Sequence, residues 1–276
     1  MNDDVNDDVY DVWMETPRRP ARRQFLRATA GAGLALAGVA ALPRPTLAAA
    51  PPAVPTVSAC GESARDIIDT ALMVERLATT FYYTGLTTRS IAGSARVAGS
   101  SANPNRVSPN GSPGNVAYLQ AALDQEQKHA RLLAALGATS RHTEFYFPAA
   151  TFAELGYTSH IGSYLWVLDH LETAFISTYI AAIKRLGELG HRELAVLMAR
   201  ILGVECQHRA LYRVIARDDP ADNVTLEVAE LSCVGDAVTL LTPFLTGRGF
   251  PGGATRAIHL PGQGHVARVV GLNTSS

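Results

Sequence analysis

The sequence predicts an all-α protein, a four-helix bundle with a long crossover connection and a C-terminal helical extension. Its 276 residues are 47% hydrophobic, and apolar residues recur at three- and four-residue spacing over four long stretches. Each stretch carries a glutamate on its apolar face, and in two of them a histidine follows three residues later, at Glu126 and His129 and at Glu205 and His208. Positions i and i+3 share one face of a helix, so each pair directs a carboxylate and an imidazole the same way.

The four predicted helices are residues 65–86, 115–136, 161–186 and 191–216. Gly137 provides the C-cap of the second helix, and the short turn at 187–190 predicts that the third and fourth helices are antiparallel neighbours. Glu75 on the first helix and Glu172 on the third have apolar or aromatic neighbours on their helix faces. A surface glutamate normally has polar neighbours, so we expect both to point inward.

Three other segments connect or follow these helices. Residues 87–114 are rich in Ser, Gly, Asn, Pro and Arg, and we predict a flexible excursion with one extra helical turn at its start. Residues 138–160 are predicted to be the long crossover, with the aromatic residues of 145–148 packing over one end of the bundle. A fifth helix is predicted at 225–241, and the tail from 242 onward shows no periodic pattern.

The N-terminal residues predict an export signal. Arg22 and Arg23 lie in a segment that resembles the twin-arginine motif, and uncharged residues follow from Ala28 to Leu42. A cluster of small residues then favours cleavage after Ala48. An uncleaved membrane anchor is the alternative, which the short, weakly apolar run disfavours. The predicted domains are a signal peptide at 1–48, a linker at 49–61, the bundle at 62–218 and the extension at 219–276.

The predicted location is therefore periplasmic or extracellular, without a stable membrane span after cleavage. The formal net charge of the chain is −1, and no stripe of basic residues is present. This balance argues against nucleic acid as a partner.

The three cysteines do not form a C-x-x-C metal motif. An oxidising destination would permit one disulfide. Cys206 follows a candidate metal ligand on the fourth helix and is expected to be a buried packing residue. Cys60 and Cys233 lie outside the four core helices and are the candidate disulfide pair.

The predicted site is a centre for two metal ions. Carboxylates are hard oxygen donors that bridge two cations, and imidazole adds a donor suited to iron. A single Glu-x-x-His is weak evidence, but two of them, each with a partner glutamate on the preceding helix, are strong evidence. The alternative is a satisfied network of buried Glu–His pairs without metal. The predicted ligands are Glu75, Glu126, His129, Glu172, Glu205 and His208.

The chain also contains an internal repeat, because Glu75 and Glu172 are each followed seven residues later by a tyrosine, Tyr82 and Tyr179. These tyrosines are interpreted either as electron donors or hydrogen-bond partners near the metals, or as ordinary core residues. Asp169, one turn before Glu172, either orients a ligand histidine or faces solvent.

Residues 65–216 resemble the ferritin-like superfamily, whose ligand pattern coincides with all six predicted ligands. With the twin-arginine leader and the C-terminal extension, the chain is most similar to exported bacterial ferritin-like proteins related to plant desiccation-related proteins. The resemblance implies two iron ions, with manganese as the alternative. It also implies an oxidoreductase that oxidises ferrous iron or consumes oxygen or peroxide.

The same resemblance leaves a second function open, that of a desiccation- or stress-protective protein whose metal site mainly stabilises the fold. Open coordination positions and a route to the metals would favour the oxidoreductase, whereas a fully capped site would favour the protective role. The excursion at 87–114 and the C-terminal region differ from storage ferritins. They argue against a 24-subunit shell and leave a smaller homo-oligomer open.

Overall fold

The computed structural model describes residues 60–99, 106–218, 221 and 231–271, and the predicted export signal lies outside these ranges. The helices in the described ranges are α1 (Ala64–Thr87), α2 (Arg89–Ala92), α3 (Ala95–Ala98), α4 (Pro113–Ala135), α5 (Tyr164–Glu188), α6 (Arg192–Ala216), α7 (Val234–Thr246) and α8 (Gln263–Val270). Two short strands, β1 (Glu144–Phe145) and β2 (Ile258–His259), pair antiparallel. The prediction of an all-α bundle is confirmed.

The long helices begin and end where local chemistry favours it. Ser63 and Asp66 form a capping box at the start of α1, which satisfies backbone N–H groups of the first turn. Gly137, just after α4, has a φ of +92°, a left-handed conformation that favours glycine. The start of α5 is three residues later than predicted, because Gly162 also has a positive φ, +78°, and Ile161 is 61% exposed.

The four long helices form two pairs. The first hairpin consists of α1 and α4, and the second of α5 and α6; within each hairpin the helices pack side by side. The second hairpin turns at Leu189 and Gly190, where the amide of His191 donates to the carbonyl of Leu186 at 2.9 Å. Buried apolar side chains from both hairpins form a shared core that includes Ile67, Leu72, Leu133, Leu186, Met198 and Ile201.

The excursion between α1 and α4 has more regular structure than predicted, since it contains both α2 and α3. Asn115, buried at the start of α4, donates from Nδ2 to the carbonyls of Arg96 and Ser108, each at 2.8 Å. The guanidinium of Arg96 lies 3.8 Å from the ring centroid of Tyr157. These contacts attach the described parts of the excursion to the bundle; residues 100–105 lie outside the description.

The crossover and the C-terminal region cover the bundle together. Phe147 is fully buried and its ring centroid lies 5.5 Å from that of Phe81 on α1 and 5.9 Å from that of Phe244 on α7. Strand β1 of the crossover pairs with β2 of the tail, so that Phe145 lies opposite Ile258. The crossover aromatics therefore pack over the bundle as expected, with partners that the sequence did not indicate.

The C-terminal predictions need correction. Helix α7 spans Val234–Thr246, whereas the fifth helix was predicted at 225–241; it therefore ends five residues later than predicted, and residues 222–230 lie outside the part of the chain that the structure describes. Cys233 is the N-cap residue of α7, where its backbone N–H donates to Asp236 at 2.9 Å. The helix continues through Pro243 to Thr246, because Phe244 is buried against the crossover. The tail from 242 onward, which shows no periodic pattern in the sequence, contains the end of α7 together with β2 and α8.

Two of the three cysteines form a disulfide, and the third lies on α6. Cys60 and Cys233 are joined by a disulfide, with Cα atoms 5.5 Å apart. Cys206 lies outside this disulfide and is half-buried, not buried as expected, since it lies about 100° around α6 from the inward-facing Glu205. Within the described ranges, no helix combines the length and the apolar character that crossing a membrane requires.

Candidate metal centre

All six predicted ligands converge inside the bundle. The four glutamates come from four different helices, α1, α4, α5 and α6, and each is at most 1% exposed. The side chain of His208 is 2% exposed and that of His129 is 14% exposed. The inward stripes of the long helices therefore direct four carboxyl groups and two imidazoles to one buried place.

The ligands form two overlapping groups. Within each group, one possible ligand atom per residue lies within 4.8 Å of the others. Glu126 and Glu205, the glutamates of the two Glu-x-x-His motifs, belong to both groups. The first group is Glu75, Glu126, His129 and Glu205, and the second is Glu126, Glu172, Glu205 and His208. This arrangement offers two neighbouring candidate positions for a cation, which share two carboxylates.

Both histidines face the carboxylates through Nδ1. Nδ1 of His129 lies 3.3 Å from Oε2 of Glu75 and 3.6 Å from Oε1 of Glu205. Nδ1 of His208 lies 2.9 Å from Oε1 of Glu126 and 3.6 Å from Oε2 of Glu205. Each histidine thus belongs to one cation position, as expected from a repeated ligand pattern.

Burial makes the charged carboxylates unfavourable when no cation is present. It raises the pKa of Glu126 and of Glu172, and the charge of Glu205 raises both further. For His129, burial lowers the pKa, but the nearby carboxylates of Glu75 and Glu205 outweigh it, so that the net pKa is raised. Protons or metal cations must therefore balance the charge of this cluster.

The hydrogen bonding of the cluster fits metal ions. Buried polar atoms in folded proteins are normally hydrogen bonded. Among the described residues, the buried side-chain atoms without a hydrogen-bond partner include eight from this cluster. They are Oε2 of Glu75 and Glu172, both carboxylate oxygens of Glu126 and Glu205, and Nδ1 of His129 and His208. Cations coordinated by carboxylate and imidazole would satisfy these eight atoms, whereas a Glu–His network without metal would need added protons shared between the carboxyl groups.

The two repeat tyrosines connect the hairpins. The hydroxyl of Tyr82 on α1 donates to Oε1 of Glu172 on α5 at 2.5 Å, and the hydroxyl of Tyr179 on α5 donates to Oε1 of Glu75 on α1. Burial raises the pKa of both tyrosines, and the neighbouring carboxylates raise it further. Of the roles considered for them, the structure shows the hydrogen bond to a ligand carboxylate.

The side chain that contacts the ring of His208 is Gln125, not Asp169, which the sequence suggested. Asp169 accepts a hydrogen bond from the hydroxyl of Tyr212. Nε2 of His208 lies instead 2.8 Å from Oε1 of Gln125 on α4. Sequence reasoning missed Gln125, although a polar residue directly before Glu126 on a half-buried helix face was an available indication.

The fold and the buried cluster define a helical-bundle protein with a candidate centre for two metal ions. A family model described as a ferritin-like domain matches residues 63–217. The chain therefore belongs to the ferritin-like domain family. No curated protein and no solved structure matches the chain.

Proposed function

We propose that the chain is an exported di-iron carboxylate protein that oxidises ferrous iron, with oxygen or peroxide as the electron acceptor. The observation that carries this proposal is the set of eight buried, unsatisfied oxygen and nitrogen atoms in two groups that share Glu126 and Glu205. Mixed carboxylate and imidazole donors suit iron, and manganese is the alternative metal.

Each ligand has a distinct position in this proposal. Glu126 and Glu205, which belong to both groups, would help to hold both ions; Glu75 and His129 would complete one position, and Glu172 and His208 would complete the other. Bound iron supplies the redox chemistry, in which two electrons and two protons convert one hydrogen peroxide to two water molecules.

The surrounding residues hold protons and orient the ligands. Because burial raises the pKa of Tyr82 and Tyr179, both phenols stay protonated at neutral pH and donate to Glu172 and Glu75. Each hydrogen bond fixes one oxygen of its glutamate and leaves Oε2 for a cation. His129, at 14% exposed the least buried ligand, gives the centre its contact with the surface.

The test uses the protein without its export signal, loaded with Fe²⁺ under anaerobic conditions. Addition of oxygen or of hydrogen peroxide should produce ferric absorbance together with stoichiometric loss of the oxidant. Glu172→Ala should abolish both, whereas Glu193→Ala, which changes an exposed glutamate on α6, should retain both. Oxidation that is equal in the two variants would contradict the proposal.

The burial of the site favours a second candidate, a protective protein whose bound metals stabilise the bundle. The four glutamates are at most 1% exposed, and the crossover aromatics cover part of the bundle. This candidate predicts protein that binds both ions and is stabilised by them but that consumes neither oxygen nor peroxide. The oxidant assay therefore separates the two functions.

Export by the twin-arginine route is part of the proposal and is supported by Arg22, Arg23 and the uncharged run after them. These residues lie outside the described ranges. Replacing both arginines with lysine should retain the precursor in the cytoplasm, because a receptor reads this motif. Fractionation followed by immunoblotting measures the outcome, and unchanged export of the double variant would contradict this route.

A further inference from the structure

The histidine of the second group is held by polar residues of α4. Oε1 of Gln125 lies 2.8 Å from Nε2 of His208, and the hydroxyl of Tyr118 donates to the main-chain carbonyl of His208 at 2.7 Å. A glutamine Oε1 only accepts hydrogen bonds, so this contact suits the tautomer in which Nε2 of His208 carries the proton. Nδ1 then keeps its lone pair and faces the carboxylates. Gln125 and Tyr118 therefore hold His208 in an orientation that directs Nδ1 toward the carboxylates.

The sequence repeat gives His129 no matching polar pair. Tyr118 and Gln125 precede the glutamate of their motif by eight residues and one residue. The positions that precede the glutamate of the α6 motif by the same intervals hold Leu197 and Val204. Neither side chain can accept a hydrogen bond from an imidazole.

The reciprocal contacts of Tyr82 and Tyr179 show that the two hairpins pair with approximate twofold symmetry. Under this symmetry, His129 is equivalent to His208. Leu197 and Val204 on α6 occupy the positions equivalent to those of Tyr118 and Gln125 on α4. The exposure of the two imidazoles agrees with this difference, because the side chain of His129 is 14% exposed and that of His208 is 2% exposed.

We propose that Gln125 is a positioning residue that makes the two metal positions unequal. The position of Glu172 and His208 binds its ion tightly, because an oriented ligand loses less freedom on binding. The position of Glu75 and His129 holds the exchangeable ion, and ferrous substrate enters and leaves there. This inference rests on the metal centre of the proposed function. It adds an order of metal affinity to the two positions.

Binding of Fe²⁺ to the apoprotein, measured by calorimetry without oxygen, tests this order. Wild-type protein should bind two ions in two steps of different affinity. His208→Ala should remove the tighter step, and His129→Ala should remove the weaker one. Titration with Co²⁺ followed by visible absorbance provides an independent record of the same two steps.

A matched set of variants then isolates Gln125. Partners of ligating histidines typically change metal affinity by about 10–100-fold, so Gln125→Leu should weaken the tighter step by about that factor and leave the weaker step unchanged. Gln125→Glu retains an acceptor oxygen and should keep the tighter step. Val204→Gln should strengthen the weaker step, whereas Val204→Ile, its apolar control, should not.

Two equal binding steps in wild-type protein would overturn the inference. An equal effect of Gln125→Leu on both steps, or no effect on either, would also overturn it. Circular dichroism of each apoprotein checks folding, and Val204→Gln carries the test by itself if Gln125→Leu does not fold. Oxidation by a protein with two equal steps would contradict this inference alone, whereas two unequal steps without oxidation would contradict only the proposed function.

Discussion

The two hairpins carry the same ligand pattern on very different connections. Between α1 and α4 the chain makes an excursion that includes two short helices, whereas α5 and α6 are separated only by residues 189–191. Nevertheless, each hairpin supplies one lone glutamate and one Glu-x-x-His to the same centre. The connections therefore do not determine the site, because its ligands are held on rigid helices whose apolar faces pack together.

The hairpins differ in a second way that does reach the site. The α4 face that flanks the centre carries Tyr118 and Gln125, and the α6 face carries Leu197 and Val204. Under the inference proposed above, this difference in neighbouring residues would make the two positions of a repeated ligand set unequal. Five experiments test how the hairpins and their shared centre contribute to the protein, and they follow in order of expected effect.

The largest effect concerns the two lone glutamates. Glu75→Ala and Glu172→Ala should each reduce the metal content from two ions to one, because each residue belongs to only one of the two groups. Helix content should be retained, since alanine is the better helix former. Elemental analysis after desalting and circular dichroism measure both quantities. A variant that still bound two ions would show that the replaced glutamate is not needed to hold an ion.

The next effect concerns the disulfide, which ties the start of the first hairpin to α7 across 173 residues of sequence. Cys60→Ser should lower the free energy of unfolding by about 2–4 kcal/mol, because the cross-link restricts the unfolded chain. Cys206→Ser, at a half-buried thiol on the second hairpin, is the control. Urea denaturation under oxidising conditions measures both. Equal losses in the two variants would argue against a stabilising disulfide.

Metal removal should destabilise both hairpins together, since the ligands come from all four long helices. With free metal at about 10 times its dissociation constant, each of the two ions stabilises the fold by about 1.4 kcal/mol. Together they contribute about 2.8 kcal/mol, which corresponds to roughly 5–10 °C in melting temperature. Scanning calorimetry of the metal-loaded protein and the apoprotein measures this difference. Equal melting temperatures would show that the ions do not cross-link the hairpins.

Metal removal should also reverse the pH dependence of the free energy of unfolding. Glu126 and Glu172 have pKa values raised above the ordinary 4.5 in the folded apoprotein. The folded state then binds more protons than the unfolded state above pH 4.5, so the stability of the apoprotein should fall as pH rises. Metal-loaded protein should instead lose stability as pH falls, because protons compete with the cations. Denaturation at about pH 5 and pH 7 distinguishes the two slopes.

The smallest effect concerns the tyrosines that cross between the hairpins. Tyr82→Phe and Tyr179→Phe each remove one hydrogen bond to a ligand glutamate, and each should cost about 1 kcal/mol in the apoprotein. Tyr83→Phe, at a half-buried neighbour, should cost less. Chemical denaturation measures all three. A large difference between the first two variants would mean that the reciprocal hydrogen bonds are not equivalent.

Much of the fold could be predicted because the sequence signals that define helices act over only a few neighbouring residues. The long helices were located to within three residues, since apolar periodicity and residues such as Gly137 act within a few positions. The convergence of Glu75, Glu126, Glu172 and Glu205 could also be anticipated, because a buried carboxylate on each helix needs partners. The start of α7 could not, because its N-cap at Cys233 and its buried Phe244 depend on distant contacts.

The sequence by itself determined which residues face inward and that they repeat twice along the chain. Only the tertiary structure decided which neighbours meet across the hairpins, as Gln125 meets His208 over 83 residues and Tyr82 meets Glu172 over 90. Helical periodicity fixes the direction in which each side chain points around the axis of its own helix. The relative position of two helices depends on how all their side chains pack, and that information is not contained in any single stretch of sequence.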